Sequence, residues 1–173
     1  MGSLLLRPAT THDGPALSRL GTASFVAKFG QLYDPQDLAV FLDESLSPET
    51  VAAELNDPSR LYCLAESEGM LTGYAKLGLV CGFPEHAARF RTIELKGLYT
   101  HPARTGQGIG ARLLDWALAE ARGRGFDEMQ LSVFSGNDGA QRFYARYGFE
   151  KVADVTFRVG RQLDHEFLLA RDL

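Results

Sequence analysis

Several common protein classes are excluded by what this chain has little of. Cysteine occurs only twice in 173 residues, as Cys63 and Cys81. Two thiols inside apolar segments read as packed core residues rather than as a disulfide framework or a metal site. The histidines His12, His86, His101 and His165 are scattered without metal-ligand spacing, so no metal is expected. An excess of positive charge is also missing. Lys and Arg total 18 against 22 Asp and Glu, a net charge of −4. That balance argues against nonspecific nucleic-acid binding and permits a cationic substrate. No apolar run approaches ~18 residues, so no membrane-spanning segment is expected. The apolar part of Met1–Pro8 is too short for a signal peptide, which makes the cytoplasm the expected location. No internal repeat, low-complexity tract or linker interrupts the chain.

What is present suits one soluble domain over residues 1–173, with 45% hydrophobic and 23% charged residues. Leu4–Arg7 reads as a short strand ended by Pro8. Thr10-Thr11-His12-Asp13 offers caps for a helix carrying Leu17, Leu20, Ser24 and Ala27 on one face. Helices are predicted over 35–46 and from Ser47-Pro48-Glu49 through Leu55, since serine caps and proline is tolerated in a first turn. Residues 61–66 and 71–80 form a hairpin about Glu68-Gly69, and 81–91 a loop. A strand over 92–100 leads to a helix with Ile109, Leu113, Ala117 and Ala121 on one face. Arg122-Gly123-Arg124-Gly125 ends that helix, and 129–134 is a strand. Asn137 caps a further helix, stopped by Gly148, and strands over 150–159 and 162–170 close the chain about Gly160. The fold class is therefore α/β (α+β), with a mixed, mostly antiparallel twisted sheet of six to seven strands and four to five helices. The crossover over 92–134 supplies the parallel pair.

The most informative stretch is Glu94-Leu95-Lys96-Gly97-Leu98-Tyr99-Thr100, followed by Arg104-Thr105-Gly106-Gln107-Gly108-Ile109-Gly110-Ala111. Three alternating glycines at a helix start leave backbone N–H groups uncovered and without intrahelical partners. The helix dipole adds partial positive charge, and such a turn holds phosphate. The spacing also satisfies the dinucleotide pattern G-x-G-x-x-A. Yet the next strand ends in Phe134-Ser135-Gly136-Asn137, without the acidic residue a Rossmann site wants there. A P-loop is excluded because no Gly-Lys-Ser/Thr follows.

The strand, the Arg/Gln-x-x-Gly-x-Gly/Ala-like turn and the helix together resemble the acetyl-CoA signature of the GNAT family of N-acetyltransferases. Asn137, Ala140, Phe143-Tyr144 and Gly148-Phe149 resemble that family's second signature, and the element order fits along essentially the whole chain. Residues 25–55, Gly73-Tyr74-Ala75-Lys76 and the ending Leu169-Ala170-Arg171-Asp172-Leu173 are most similar to the bacterial spermidine/spermine acetyltransferases. One departure is Thr105, which stands where the family has Arg or Gln, with Arg104 just before it.

The resemblance implies acetyl-CoA as cosubstrate, no metal, and direct acetyl transfer to an amine. The backbone cradle runs over Gly106, Gln107, Gly108, Ile109, Gly110 and Ala111, with Arg104 and Thr105 beside it. The strand edge Leu98, Tyr99 and Thr100 would pair with the pantetheine arm, near a bulge at Leu98 whose N–H serves as oxyanion donor. Glu94 is the candidate general base; it reads equally as an ion-pair partner of Lys96. Tyr144 is the candidate acid for the departing thiolate; it reads also as a core aromatic beside Phe143 and Tyr147. Asn137 bonds the cofactor or merely caps its helix. The acceptor implied by the closer resemblance is a polyamine, with Asp34, Asp37, Asp43 and Glu44 on the helical wall of its site and Glu85 and Glu166 as further contributors. The alternatives are a protein N-terminal or lysine acetyltransferase and a noncatalytic acyl-CoA-binding sensor. Retention of both Glu94 and Tyr144 weighs against the sensor. The expected partner is a small-molecule amine, with homodimer formation left open and no nucleic acid or membrane.

Overall fold

The computed structural model describes residues 2–173; Met1 lies outside them. Seven strands form one sheet: β1 (Leu5–Pro8), β2 (Arg60–Ser67), β3 (Met70–Gly78), β4 (Thr92–Thr100), β5 (Glu128–Phe134), β6 (Glu150–Val159) and β7 (Gln162–Asp172). Their order across the sheet is β1-β2-β3-β4-β5-β7-β6. Five helices accompany them: α1 (Gly14–Phe29), α2 (Pro35–Leu46), α3 (Pro48–Leu55), α4 (Ile109–Gly123) and α5 (Asp138–Arg146). The α/β class, the mostly antiparallel sheet and the parallel crossover agree with the sequence reading. Among the described residues, no helix is long and apolar enough to cross a membrane.

Local chemistry sets the helix boundaries. Asp34 and Ser47 accept the N–H groups of Gln36 and Thr50, and a proline follows each as the first helical residue. The carboxylate of Asp13 takes the Thr10 N–H, and hydrogen bonding from the Arg7 guanidinium holds its carboxyl down at about 2. Glu68 and Gly69, with φ of 54° and 75°, make the β2–β3 turn. Strand ends depart from the sequence reading by a residue or two. β3 stops at Gly78 rather than Val80 because β2 begins opposite it at Arg60. β7 runs on to Asp172 because β5 starts opposite it at Glu128. The loop over 81–91 contains a single helical turn at Pro84–His86.

The sheet separates two apolar layers. On one face Leu113, Leu114, Ala117 and Ala121 of α4 pack on Ala75, Leu77, Ile93, Leu95 and Met129. On the other, Leu17 and Leu20 of α1 and Val51 of α3 pack on Tyr62, Leu64 and Tyr74. A third cluster joins Phe25, Phe41 and Leu46 to Val159 at the far edge. Cys63 is a free buried thiol in the first layer, as expected. Cys81 is free and only partly buried, and its thiol donates to Gln130 Oε1 at 2.9 Å. Buried Glu128 accepts the Ala88 N–H at 3.1 Å and the Thr92 hydroxyl at 3.1 Å, tying the 79–91 segment to the sheet.

The position that matters most for the site is where β4 meets β5. These strands pair in parallel at only Thr92–Glu128, Ile93–Met129 and Glu94–Gln130. Beyond Glu94, β4 continues with β3, and β5 with β7, leaving a gap between them. The ladder to β3 shifts register there: Leu77 opposes Leu95 and Lys76 opposes Gly97, so Lys96 is the extra residue of a bulge. The sequence reading placed that bulge near Leu98. It falls two residues earlier because the bend starts where the β5 partner is lost.

Gly73 holds β3, β4 and α4 together at this point. A Cβ there would lie 2.8 Å from Ile109 Cγ2 and 2.9 Å from the Tyr99 carbonyl oxygen. Gly73→Ala is therefore expected to cost about 1–3 kcal/mol through overpacking. Urea denaturation reads this directly, and an unchanged midpoint would mean that α4 has room to move off the sheet.

Candidate active site

The glycine-rich turn adopts the geometry its sequence requires. Gly106 and Gly108 have φ of 76° and 78°, the left-handed region that strains any other L-residue. An added Cβ at either would meet nothing within 4 Å, so the space in front of the backbone is open. α4 starts without a side-chain cap and without an acidic residue in its first turn. Its first intrahelical bond runs from the Arg112 N–H to the Gly108 carbonyl, at 3.1 Å. The N–H groups before Arg112 thus have no partner within the helix.

These groups line a cavity of about 420 Å³, formed by Leu98, Thr100, Arg104, Thr105, Gly106, Gly108, Ile109, Gly110 and Ala111 together with Lys28, Gly139, Ala140, Phe143, Tyr144 and Arg146. Its lining carries three cations and no carboxylate, an electrostatic match for phosphate. Arg104 lines the cavity beside Thr105, with its guanidinium 3.8 Å from the Glu68 carboxylate. The Thr105 hydroxyl donates to the Pro102 carbonyl at 3.4 Å. Gln107 faces the other side of the turn, toward Glu68 and Thr72.

A second cavity, about 170 Å³, occupies the gap between β4 and β5. Lys28, Leu98, Ala140 and Tyr144 line both it and the glycine-turn cavity, so the two adjoin. Tyr99, Asn137 and Glu166 complete its polar lining with Lys96 and Ser132. The Asn137 side chain accepts the Ala140 N–H at 3.2 Å, so it caps α5 while lying at the cavity wall. The His101 N–H bonds the Thr72 carbonyl at 2.8 Å. By strand alternation the N–H groups of Thr100 and Leu98 point away from β3, into the gap.

A third cleft, about 410 Å³, opens on the opposite face and shares Lys96, Tyr99, Ser132 and Phe157 with the second. Glu94 lies here, not beside Tyr144. Its buried carboxylate accepts the Gly82 N–H at 2.8 Å and sits 3.0 Å from the Lys96 ammonium. The ion-pair reading of Glu94 therefore describes its resting state. Lys76 is likewise held by Glu54 at 2.9 Å, and Tyr62 donates its hydroxyl to the same carboxylate.

The expected acidic wall is mostly engaged elsewhere. Asp37 takes the Arg161 backbone N–H at 3.0 Å and its Nε at 2.9 Å, and these bonds hold its carboxyl below the usual range. Asp34 caps α2 and lies 3.9 Å from Arg161. Of the four carboxylates named from the sequence, Glu44 alone lines the cleft. Arg60 and Arg158 also line it, and among the described residues neither has a carboxylate within ion-pair distance.

Burial shapes the ionisation of the central cavity. It pushes the Tyr144 phenol well above its ordinary value, with a smaller contribution from Tyr99. Tyr99 rises to about 12, through burial first and the Glu166 carboxylate second. Glu166 itself is raised by burial, against a hydrogen bond from Ser132. The Lys28 amine is lowered by burial.

The chain is similar to known acetyltransferases. Residues 26–149 match the model of the acetyltransferase (GNAT) family. An uncharacterized N-acetyltransferase of Mycobacterium tuberculosis strain H37Rv is 32% identical over 161 residues, covering 93% of this chain and 98% of that protein. The aminoalkylphosphonate N-acetyltransferase of Salmonella typhimurium strain LT2 is 36% identical over 146 residues, covering 84% of each. Among solved structures, the PaiA N-acetyltransferase of Thermoplasma acidophilum, in complex with coenzyme A, superposes with a TM-score of 0.81 at 21% identity over 99% of each chain.

Proposed function

The chain belongs to the acetyltransferase (GNAT) family, and we propose that it moves the acetyl group of acetyl-CoA onto the primary amine of a small molecule, by direct attack in a ternary complex. The observation that carries this reading is the line of three adjoining cavities. A phosphate-suited pocket on one face leads through the β4–β5 gap to a polar cleft on the other. Two substrates entering from opposite faces would meet between Leu98 and Tyr144.

Acetyl-CoA supplies an activated thioester. The uncapped N–H groups at the start of α4 would take its pyrophosphate, with Arg104, Arg146 and Lys28 adding positive charge. The outward N–H groups of Thr100 and Leu98 suit the amide-bearing pantetheine arm, as an added strand would be held. The Leu98 N–H is also placed to receive the developing oxyanion. Tyr144 would hydrogen-bond the departing sulfur. Burial keeps its phenol protonated and thus a donor at neutral pH. A thiol near 8.5 is more acidic than this phenol, so full transfer to the thiolate depends on Tyr144 recovering a proton from the amine side.

The acceptor would enter through the third cleft. The polyamine reading rests on the resemblance of residues 25–55 to the spermidine/spermine branch. The cleft's charges favour a second reading: with Lys76 and Lys96 paired, Arg60 and Arg158 remain to receive an anion, which suits an amine that also bears a carboxylate or phosphonate. Release of free CoA, followed over spermidine, spermine, an aminoalkylphosphonate, amino acids and an N-terminal peptide, decides among these. Turnover confined to the peptide would refute the small-molecule reading.

Two variants test the site. Gly108→Asp puts a carboxylate against the phosphate position and is expected to weaken acetyl-CoA binding at least about tenfold, as removal or reversal of one charge-assisted contact commonly does. Parental affinity by calorimetry would mean that the phosphate lies elsewhere. Tyr144→Phe keeps the ring's packing and removes only the hydroxyl. Turnover is expected to fall about 10²-fold or more at unchanged melting temperature, and full activity would leave Tyr144 a packing residue.

A further inference from the structure

The proton released by the attacking amine needs an acceptor beside the reacting atoms, and two carboxylates stand near the gap. We propose that Glu166, not Glu94, receives it. This rests on the acetyl-transfer reading above. Glu166 lies on β7 opposite Phe134, at the end of β5 that has parted from β4. Its carboxylate lines the gap cavity with Leu98, Tyr99 and Tyr144, where an acetyl group delivered along Leu98–Thr100 would arrive. It is 8% exposed and carries no ammonium or guanidinium partner among the described residues. Glu94 is as deeply buried but differs in place and partner: it faces the third cleft, and its Oε2 is held by the Lys96 ammonium and the Gly82 N–H. Protonating Glu94 would leave the Lys96 ammonium without its partner, which is costly in a largely buried site.

The surroundings of Glu166 suit proton acceptance. Ser132 of β5 donates to it, and Asp164 of its own strand adds like charge. Asp164 is itself held by the Tyr33 hydroxyl and by the Gln162 amide at 2.7 Å. Tyr99 of β4 and Tyr33, just before α2, feel the Glu166 charge, while Lys28 of α1 and Tyr144 of α5 share its cavity. Burial and Asp164 together favour the protonated carboxyl and raise its affinity for a proton.

The step balances. The ammonium acceptor gives one proton to Glu166 and becomes a free amine. Its nitrogen bonds the thioester carbon, the C–S bond breaks, and the sulfur leaves as thiolate. The second nitrogen proton goes to the thiolate by way of Tyr144, and Glu166 returns its proton to water. The sum is ammonium plus acetyl-CoA giving amide, CoA thiol and one proton.

The sign of the pH effects follows from a folded-state affinity raised above that of the unfolded chain. The charged form is disfavoured in the fold, so Glu166 favours folding at low pH and opposes it as pH rises. Glu166→Gln is therefore expected to keep or raise the melting temperature at pH 8 while lowering kcat about 10²-fold or more. The acidic limb of its kcat/KM profile, on whichever amine turns over, loses the slope of one proton, and the KM for acetyl-CoA stays within about twofold. Glu94→Gln keeps that limb. A limb retained in Glu166→Gln, or lost in Glu94→Gln, overturns the assignment. A carbon-13 titration of the side-chain carboxyls, assigned by the same two variants, needs no acceptor. Glu166 is expected to titrate above the ordinary glutamate value of about 4.3; titration at or below it overturns the proposal even if no amine in the panel is acetylated, an outcome that would refute only the acceptor reading.

Discussion

Neighbouring parallel strands normally stay paired along their length, because each unpaired buried peptide group forfeits a hydrogen bond. Here β4 and β5 share three residue pairs and then part, and nearly everything about the site depends on that separation. The lost partner exposes the Leu98 and Thr100 N–H groups inside the protein rather than at its rim. It also leaves a cavity between the two strands that adjoins the clefts on both faces of the sheet. The bulge at Lys96 turns β4 away, and Gly73 lets β3 and α4 follow without collision. Each of these devices costs some packing or pairing, and the two flanking antiparallel pairs, β3–β4 and β5–β7, hold the gap open.

Much of this was legible in the chain itself. Ser47-Pro48 gave the start of α3 to the residue, because capping is a local interaction between side chain and backbone. Gly106 and Gly108 announced an open, left-handed turn, because no other residue suits that backbone and that exposure together. Asn137, Ala140 and Tyr144 followed from the helix they share. What stayed hidden depends on contacts distant in sequence. Lys28 reaches the phosphate pocket from α1, more than seventy residues before the glycine turn. Arg161 captures Asp37 across the sheet edge, which a reading of acidic residues along α2 had no means to see. Glu166 was noticed only as one more carboxylate. In alternation it looks like any inward strand residue, and only the register β5–β7 carries it to the gap.

Charge is distributed with the same economy. The glycine-turn cavity gathers cations and no acid, whereas the cleft on the other face pairs two lysines with Glu54 and Glu94 and leaves two guanidinium groups and the Glu44 carboxylate. Long lysines that would otherwise wander are fixed by Glu54 and Glu94, so those carboxylates contribute shape and polarity more than net attraction. An overall charge of −4 says little about either region.

The crossover helix has one more consequence. α4 is the covalent bridge between the strands that separate, and its first turn has no side-chain cap. Whatever anion settles on those N–H groups completes the helix, and it binds the folded chain but not the unfolded one. Linkage then makes ligand concentration a component of stability, worth about 2.7 kcal/mol when the ligand stands at a hundred times its dissociation constant. The protein's resistance to unfolding and proteolysis inside a cell would thus rise and fall with the supply of its own acyl donor.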